Sequence, residues 1–408
     1  MKILMSTIGT RGDVQPLVAL GVELQGMGHS IGLCVAPNFK GWVESFGFTC
    51  HSIGPDLKQF MNRPMPAKRS PPTKPQRRQL AEGTVREQFR VLIDAARDCD
   101  LLVGGGALQL ALRSIGEALS IPYVYVAYCP ASLPSPNHPP PKMLSHYPQW
   151  LPGMANRLLW RTDARGWNTL FRDALNEERA NIGLSPVIDV QRYVFTNRPW
   201  VAADPVLAPA PHSSDMKIVN TGAWFARDDA SLPEELEEFL ASGDPPVYLG
   251  FGSMRASQET GPMLVDAARR IGRRSILSQG WAGIGASVLG DDCLVIGDVS
   301  HATLFPRVAA VVHHGGAGTT HATARAGRPH VIVPHNYDQF YWAYRVEKLG
   351  IGVSTVQRDR LTVDALVSSL ERSLLPRTAA RAEGLATRIR TDGAREAARQ
   401  LCAISPSV

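Results

Sequence analysis

Long apolar runs and paired cysteines are both missing from this chain of 408 residues. No stretch reaches the ~18 consecutive apolar residues that span a bilayer, and the N-terminus turns polar at Ser6, so we expect neither a membrane span nor a signal peptide. The six cysteines are scattered without a CxxC pair, which disfavours a disulfide framework and a zinc site. These absences predict a cytoplasmic protein with free thiols.

Positive charge is in small excess, because 43 Lys and Arg residues stand against 37 Asp and Glu residues, a formal net charge of +6. A nucleic-acid-binding protein would concentrate that excess on one face within a recognisable motif, and we predict no nucleic-acid partner. Six basic residues lie instead in segment 63–78, together with five prolines and no acidic residue. So many prolines predict a loop there, rather than a helix or a central strand.

Short apolar strands alternate with helices along most of the chain. The predicted strands are residues 2–6, 30–36, 101–103 and 123–127 in the first half, and 247–251, 275–278, 294–296, 309–313 and 331–333 in the second. Continuous apolar runs are typical of parallel strands buried on both faces. The order predicts an α/β fold of two Rossmann-like, doubly wound domains. Because ligands bind beyond the carboxyl ends of such strands, we expect a cleft between the domains.

The Pro- and Ala-rich stretch 200–217 is the place where the two series of strands separate. The predicted division is an N-terminal domain at 1–205, a linker at 206–218, a C-terminal domain at 219–385 and a closing segment at 386–408.

Two proline-rich segments of the first half, 63–78 and 130–142, interrupt this pattern. Each follows a strand, so each is expected to overhang the ligand-facing edge of its domain. They are either solvated surface loops or a rim that contacts an acceptor molecule. The candidate contacts in these segments are Arg69, Lys74, Arg77, Pro136 and His138.

The strongest local signal is a buried strand followed by the glycine-rich turn of residues 313–320, HHGGAGTT, and then a helix. Glycines let the backbone approach a ligand, and a helix N-terminus binds anions. The pattern predicts a phosphate cradle. It lacks the Walker lysine and breaks the GxGxxG spacing. Six of the eleven histidines lie between residues 301 and 335, but no HExxH pattern supports a metal site.

Carboxylates and a few other side chains follow predicted strands at the same edge. Asp13, after the first strand, either caps the following helix or acts as a general base whose pKa burial raises. Asp338 and Gln339 either bind sugar hydroxyls or, in the case of Asp338, cap a helix. Ser253 is predicted to be a second phosphate contact, and Trp281 either stacks on a ring or packs in the core.

Taken together, these segments resemble the GT-B glycosyltransferases, and among them the vancomycin-group enzymes of glycopeptide antibiotic synthesis. The matching stretches are residues 10–20, 199–209, 221–224, 245–253, 313–320, 338–339 and 390–394. The resemblance implies that the C-terminal domain holds a nucleoside-diphosphate sugar and that the N-terminal domain holds the acceptor. It also implies a final helix, near 394–403, that crosses back to the first domain.

The resemblance also assigns roles to individual residues. Asp13 matches the catalytic base. The implied donor-binding residues are Arg11, Ser253, Trp281, Val299, His313, Gly316, Gly318, Thr319, Asp338 and Gln339. Many relatives carry a ribose-binding Glu eight residues after the cradle histidine, and counting from His313 places His321 there.

The implied reaction is inverting transfer of a sugar from a UDP- or dTDP-sugar to a hydroxyl of a natural-product aglycone. It is expected to need no metal or other cofactor and to be carried out by a monomer. Two enzymes of other classes remain as alternatives, a nucleotide-sugar epimerase of the same fold and an NAD-dependent oxidoreductase. A non-catalytic binding protein is a third alternative.

Overall fold

The computed structural model describes residues 1–404 except 63–71, 107, 142–149, 212, 214, 227–229, 255–256, 258, 282, 285–289, 356 and 358–359. Within this part of the chain there are two parallel sheets, each flanked by helices. The predicted fold class, two doubly wound α/β units, is confirmed. Arg69, one of the candidate acceptor contacts, lies outside the described residues.

The first sheet contains seven described strands in the order β3-β2-β1-β4-β5-β6-β7, with every pairing parallel. Its strands are β1 (Lys2–Thr7), β2 (Ser30–Val35), β3 (Thr49–Ser52), β4 (Leu101–Gly105), β5 (Tyr123–Ala127), β6 (Trp200–Val201) and β7 (Val219–Asn220). The helices of this unit are α1 (Arg11–Gly26), α2 (Lys40–Glu44), α3 (Leu57–Asn62), α4 (Lys74–Ala96), α5 (Leu112–Leu119), α6 (Gly153–Asn181) and α7 (Val190–Phe195).

The second sheet has six described strands in the order β10-β9-β8-β11-β12-β13, again all parallel. They are β8 (Val247–Leu249), β9 (Ser275–Ser278), β10 (Cys293–Ile296), β11 (Ala310–His313), β12 (His330–Ile332) and β13 (Gly352–Ser354). The remaining helices are α8 (Glu234–Ala241), α9 (Thr260–Arg270), α10 (His301–Leu304), α11 (Ala317–Arg325), α12 (Gln339–Leu349), α13 (Val363–Ser373), α14 (Pro376–Ala386) and α15 (Gly393–Cys402).

The predicted linker, 206–218, connects two strands of one sheet, because β7 pairs with β6 in the first sheet. The chain therefore passes to the second sheet only after Asn220, and a boundary at residue 219 disagrees with this pairing. The stretch was misread because β6 and β7 have two residues each and lack a long apolar run. The division of the chain into domains otherwise stays a prediction.

Part of the basic segment is helical, contrary to the prediction for 63–78. Helix α4 begins at Lys74, with Thr73 as its N-cap and Pro75 in its first turn. The Thr73 amide donates to Gln76 Oε1 at 2.9 Å, and the Thr73 side chain accepts from the Gln76 amide, which together form a capping box. A proline in the first turn removes an amide hydrogen that has no partner within the helix, so it favours this start.

The last helix, α15, packs on α1 of the first unit. Its buried residues Ala397, Ala398 and Leu401 join the apolar cluster that contains α1, and Arg395 forms an ion pair with Glu23 at 3.2 Å. The last described helix therefore packs on the unit that contains the first helix.

Candidate active site

In both sheets the order in which successive strands are added reverses beside the strands that carry the predicted site residues. In the first sheet β1 lies between β2 and β4, and in the second β8 lies between β9 and β11. Crevices open beyond the carboxyl ends of strands at such switch points. A cleft of about 430 Å³ lies there, lined by residues of both units. Its lining includes Arg11, Asp13, Ser253, Trp281, Val299, Gly316, Gly318, Thr319, Asp338 and Gln339, ten of the eleven predicted catalytic and donor-binding residues.

Asp13 is the third residue of α1, and Thr10 is the N-cap. The interpretation of Asp13 as the N-cap itself is therefore wrong by three positions. The Thr10 amide donates to Asp13 Oδ2 at 2.8 Å, which completes a capping box. The second oxygen, Oδ1, lies on the Gly106 side, 3.6 Å from the place that a Cβ on Gly106 would occupy. One oxygen thus fixes the carboxylate while the residue still lines the cleft.

Burial raises the pKa of Asp13 to about 7, because the surrounding protein removes water that would stabilise the negative charge. The hydrogen bond from the Thr10 amide works in the opposite direction, and the charge of Asp338 adds to the increase. A carboxylate with a pKa near neutrality can take up a proton and release it again at physiological pH.

Asp338 precedes α12 but does not cap it through its side chain. Instead, Asp338 Oδ2 accepts a hydrogen bond from the Trp342 indole at 3.0 Å. Burial raises the pKa of Asp338 to about 6. The preceding residue, Tyr337, has a φ of 54°, a left-handed conformation that is strained for a bulky side chain. Asp338 thus occupies the N-cap position of α12 without a capping hydrogen bond from its side chain, and it lines the cleft.

Gln339 is buried, and its amide has partners within the protein. Its oxygen accepts from the backbone amides of His335 at 2.7 Å and Asn336 at 3.1 Å. Its nitrogen lies 3.7 Å from the sulfur of Met254, which also lines the cleft. The side chain therefore braces the turn that carries Asp338.

The two adjacent histidines after β11 have different positions. His313 is fully buried and is absent from the cleft lining, because its Nδ1 accepts from the Gly315 amide and its Nε2 bonds His330 Nδ1, both at 3.1 Å. The geometry contradicts the prediction for His313. His314 lines the cleft, with its imidazole so close to Gly316 that a Cβ there would overlap Nε2.

His314 lies beside the N-terminus of α11. Gly316 is the N-cap of that nine-residue helix, and Gly318 and Thr319 in its first turn line the cleft. Free amides in a first turn and the positive end of the helix dipole both favour an anion. Burial lowers the pKa of His314 to about 4, so the imidazole is neutral at pH 7 and can donate one hydrogen bond.

Arg11 connects the two walls of the cleft. Its guanidinium lies 2.8 Å from Asp298 Oδ2 of the second unit and 4.9 Å from the centre of the Trp42 ring. Trp281 lines the second wall, and its ring packs against Phe39 of the first unit at 5.9 Å between centres. Trp281 thus lines the cleft and also joins the apolar packing between the units.

The structure does not bring the described acceptor candidates into this cleft. Lys74 and Arg77 are exposed on the first turns of α4. The carbonyl of Pro136 accepts from Asn156, and the carbonyl of His138 accepts from the Trp160 indole at 2.8 Å. His138 is buried, and burial lowers its pKa to about 4. These four residues belong to the body of the first unit, outside the cleft lining.

His321 is also structural. It is buried, its Nε2 accepts from the Asp204 amide at 3.0 Å, and its Nδ1 bonds the Ala317 carbonyl at 2.8 Å. Counting eight residues from His314 instead reaches Ala322, which lines the cleft. Ala322 carries a methyl group, which cannot form a hydrogen bond.

His314 and Tyr128 also line the cleft and were not among the site residues predicted from sequence. The only signal for His314 was its place as the first residue after a buried strand, where a side chain leaves the packed sheet. Tyr128 has the same kind of position, directly after β5.

Family models match both ends of the chain. Residues 3–133 match the glycosyltransferase family 28 N-terminal domain, and residues 279–400 match the erythromycin biosynthesis protein CIII-like, C-terminal domain. The chain is 41% identical over 403 residues to the vancomycin aglycone glucosyltransferase of Amycolatopsis orientalis, covering 98% of this chain and 97% of that protein. The chain belongs to the vancomycin-group glycosyltransferases.

This glycosyltransferase is also 38% identical to the dTDP-epi-vancosaminyltransferase of Amycolatopsis orientalis, over 94% of this chain and 92% of that protein. Its fold matches the crystal structure of the glycosyltransferase VinC in complex with dTDP, with a TM-score of 0.68, 22% identity and 99% of each chain covered. The GT-B architecture is thereby confirmed. Relatives that are transferases by name give no support to the epimerase alternative.

Among the described residues, no three His, Cys, Asp or Glu side chains are grouped so that they could hold a metal ion. In the same part of the chain, no helix combines the length and apolar character needed to cross a bilayer.

Proposed function

We propose that this glycosyltransferase moves a hexosyl or deoxyhexosyl group from a UDP- or dTDP-sugar to a hydroxyl of a glycopeptide-like aglycone, with inversion at the anomeric carbon. The observation that carries the proposal is the cleft itself. It places a carboxylate with a pKa near 7 on one wall and a glycine-rich helix N-terminus with a neutral histidine on the other.

In the proposed reaction Asp13 takes the proton of the acceptor hydroxyl as its oxygen attacks the anomeric carbon. The bond from that carbon to the phosphate oxygen breaks, and a new bond to the acceptor oxygen forms on the opposite face. The nucleoside diphosphate leaves with the electron pair. Its charge is stabilised by the first-turn amides of α11 and by a hydrogen bond from His314. His314 thus replaces His313 as the phosphate contact.

The other donor contacts follow from their places in the cleft. Ser253, Gly316, Gly318 and Thr319 lie where a diphosphate meets the helix N-terminus. Asp338, held by Trp342, is placed to accept hydrogen bonds from sugar hydroxyls. Gln339 supports that turn and offers its amide nitrogen, while Arg11, Trp281 and Val299 complete the donor side. The names of two relatives support these substrate classes. One is a glucosyltransferase for an aglycone, which supports the acceptor, and the other is a dTDP-sugar transferase, which supports the donor.

The direct test is incubation with the vancomycin aglycone and with UDP-glucose, dTDP-glucose or a dTDP-deoxysugar. We expect a product heavier by one sugar residue, and an α-linked donor to give a β-glycoside in the NMR spectrum of that product. Retention of the α configuration would exclude the inverting mechanism. Conversion of the sugar nucleotide without an acceptor would instead indicate an epimerase.

The raised pKa of Asp13 predicts a pH dependence. Only the ionised carboxylate accepts a proton, and its pKa is raised to about 7, so activity is lost as pH falls through 7. We expect kcat/KM for the acceptor to fall about tenfold per pH unit below this value and to level off above it. Donor affinity, measured at each pH by titration calorimetry, is the control. A decrease in kcat/KM that begins only near pH 4 would mean that no buried carboxylate acts as the base.

A further inference from the structure

Arg325 is a cleft residue to which the proposed mechanism gives no role. It lies in the last turn of α11 and lines the cleft together with Phe225 and Ala322. Its guanidinium carbon lies 5.0 Å from the centre of the Phe225 ring. This cation–π contact stabilises the positive charge at the wall of the cleft.

In the described part of the chain, the guanidinium of Arg325 lacks a hydrogen-bond acceptor and an ion-pair partner. The other arginine of the cleft lining, Arg11, is paired with Asp298 at 2.8 Å. A guanidinium carries five N–H donors and no acceptor. Its position at a substrate cleft therefore indicates a ligand that supplies acceptor oxygens.

The strand order of the second sheet separates the sugar of the donor from its nucleoside. The glycine-rich turn that is proposed to bind the diphosphate follows β11, and Asp338, the proposed sugar contact, follows β12 on one side of it. Trp281 and Val299 follow β9 and β10 on the other side, and both line the cleft. Because the diphosphate joins the two ends of the donor, the nucleoside is expected on the side of β9 and β10.

Arg325 belongs to this nucleoside side. Ala322 and Ala326, which line the cleft on the same face of α11 as Arg325, pack against the same apolar cluster as Val299. Arg325 lies about two turns beyond Gly318, or about 10 Å along the helix axis. Long side chains on a helix lean toward its N-terminus, so the guanidinium can reach back toward the group that follows the diphosphate. In a nucleoside diphosphate that group is the ribose.

We propose that the guanidinium of Arg325 donates hydrogen bonds to the 2′ and 3′ oxygens of the donor ribose. The planar fork of a guanidinium presents two parallel N–H groups, which match two neighbouring oxygens. A ribose offers both oxygens, whereas a 2′-deoxyribose offers only the 3′ oxygen. The contact therefore favours a UDP-sugar over a dTDP-sugar. This inference rests on the proposed function, since it requires the diphosphate to bind at the N-terminus of α11.

The test compares UDP with 2′-deoxy-UDP, which differ only in the 2′ hydroxyl, by titration calorimetry on the full-length enzyme. We expect the wild type to bind UDP about tenfold more tightly, the effect of one hydrogen bond to a charged group. Arg325→Met should bind the two nucleotides with equal Kd values. Lys348→Met is the matched control and should keep the wild-type preference, because Lys348 also lies over an aromatic ring, that of Tyr344 at 5.4 Å, but outside the cleft lining.

The wild-type comparison needs no variant, so it tests the inference even if thermal unfolding shows that Arg325→Met does not fold. Equal affinities of the wild type for UDP and 2′-deoxy-UDP would overturn the inference and leave the proposed function intact. A preference for UDP that survives in Arg325→Met, or that is lost in Lys348→Met as well, would do the same. A wild-type enzyme that binds neither nucleotide would overturn the proposed function, and the inference with it.

Discussion

Replacement of Asp13 by asparagine is expected to lower the rate of sugar transfer by two to four orders of magnitude, the usual contribution of a general base (about 10²–10⁴-fold). Asparagine has nearly the same shape, and its side-chain oxygen can still accept the hydrogen bond of the Thr10 amide. It cannot take a proton from the acceptor hydroxyl. The variant therefore isolates the proton transfer from the capping role.

The measurement is the single-turnover rate with saturating donor and acceptor, together with the Kd for UDP and dTDP and the Tm. Donor affinity and Tm should be those of the wild type. Asp100→Asn is the matched control, because Asp100 also accepts a backbone amide, that of Lys2 at 2.7 Å, but lies outside the cleft. An Asp13→Asn enzyme that keeps more than a tenth of the wild-type rate would remove Asp13 from the mechanism.

Replacement of His314 by alanine is expected to weaken binding of UDP or dTDP by about 10–150-fold. This range corresponds to the loss of one hydrogen bond to a charged group, about 1.5–3 kcal/mol. The imidazole lies against Gly316 at the start of α11, where the diphosphate is proposed to bind. Because the residue is neutral at pH 7, its contribution is a directed hydrogen bond rather than a full charge.

The neighbouring histidine is the matched control. His313→Ala removes a buried side chain that bonds Gly315 and His330, so it should lower the Tm by several degrees. At a temperature where it is folded, His313→Ala should lose less donor affinity than His314→Ala. The opposite pattern, with donor binding lost only in the His313 variant, would restore the assignment made from sequence. Titration calorimetry with both nucleotides measures the difference.

Much of the fold could be predicted from the sequence because parallel strands buried on both faces leave a plain pattern. All four described residues of β11 and all five of β4 are buried, and apolar runs marked both strands. The strands that were missed have weaker patterns. β6 and β7 have two residues each, and β3 reads Thr-Cys-His-Ser with no fully buried position. β13 reads Gly-Val-Ser and has one buried position.

The start of α4 was missed for a different reason. Proline content suggested a loop, but a proline at the first turn and the Thr73–Gln76 capping box are signals of a helix start. At this position the capping box between Thr73 and Gln76 favoured a helix more strongly than the proline content favoured a loop. The same signals are readable in the sequence, at a spacing of three residues.

By itself, the sequence determined the two α/β units, the glycine-rich helix N-terminus and the family, because these depend on local patterns and on similarity along the whole chain. Tertiary structure alone decided which of two adjacent histidines faces the cleft, since that depends on the packing of β11 against His330. It also decided that Asp13 and Asp338, 325 positions apart in the numbering, share one cleft. The pKa of Asp13 follows from that folded environment, because only burial removes the water that keeps a carboxylate acidic.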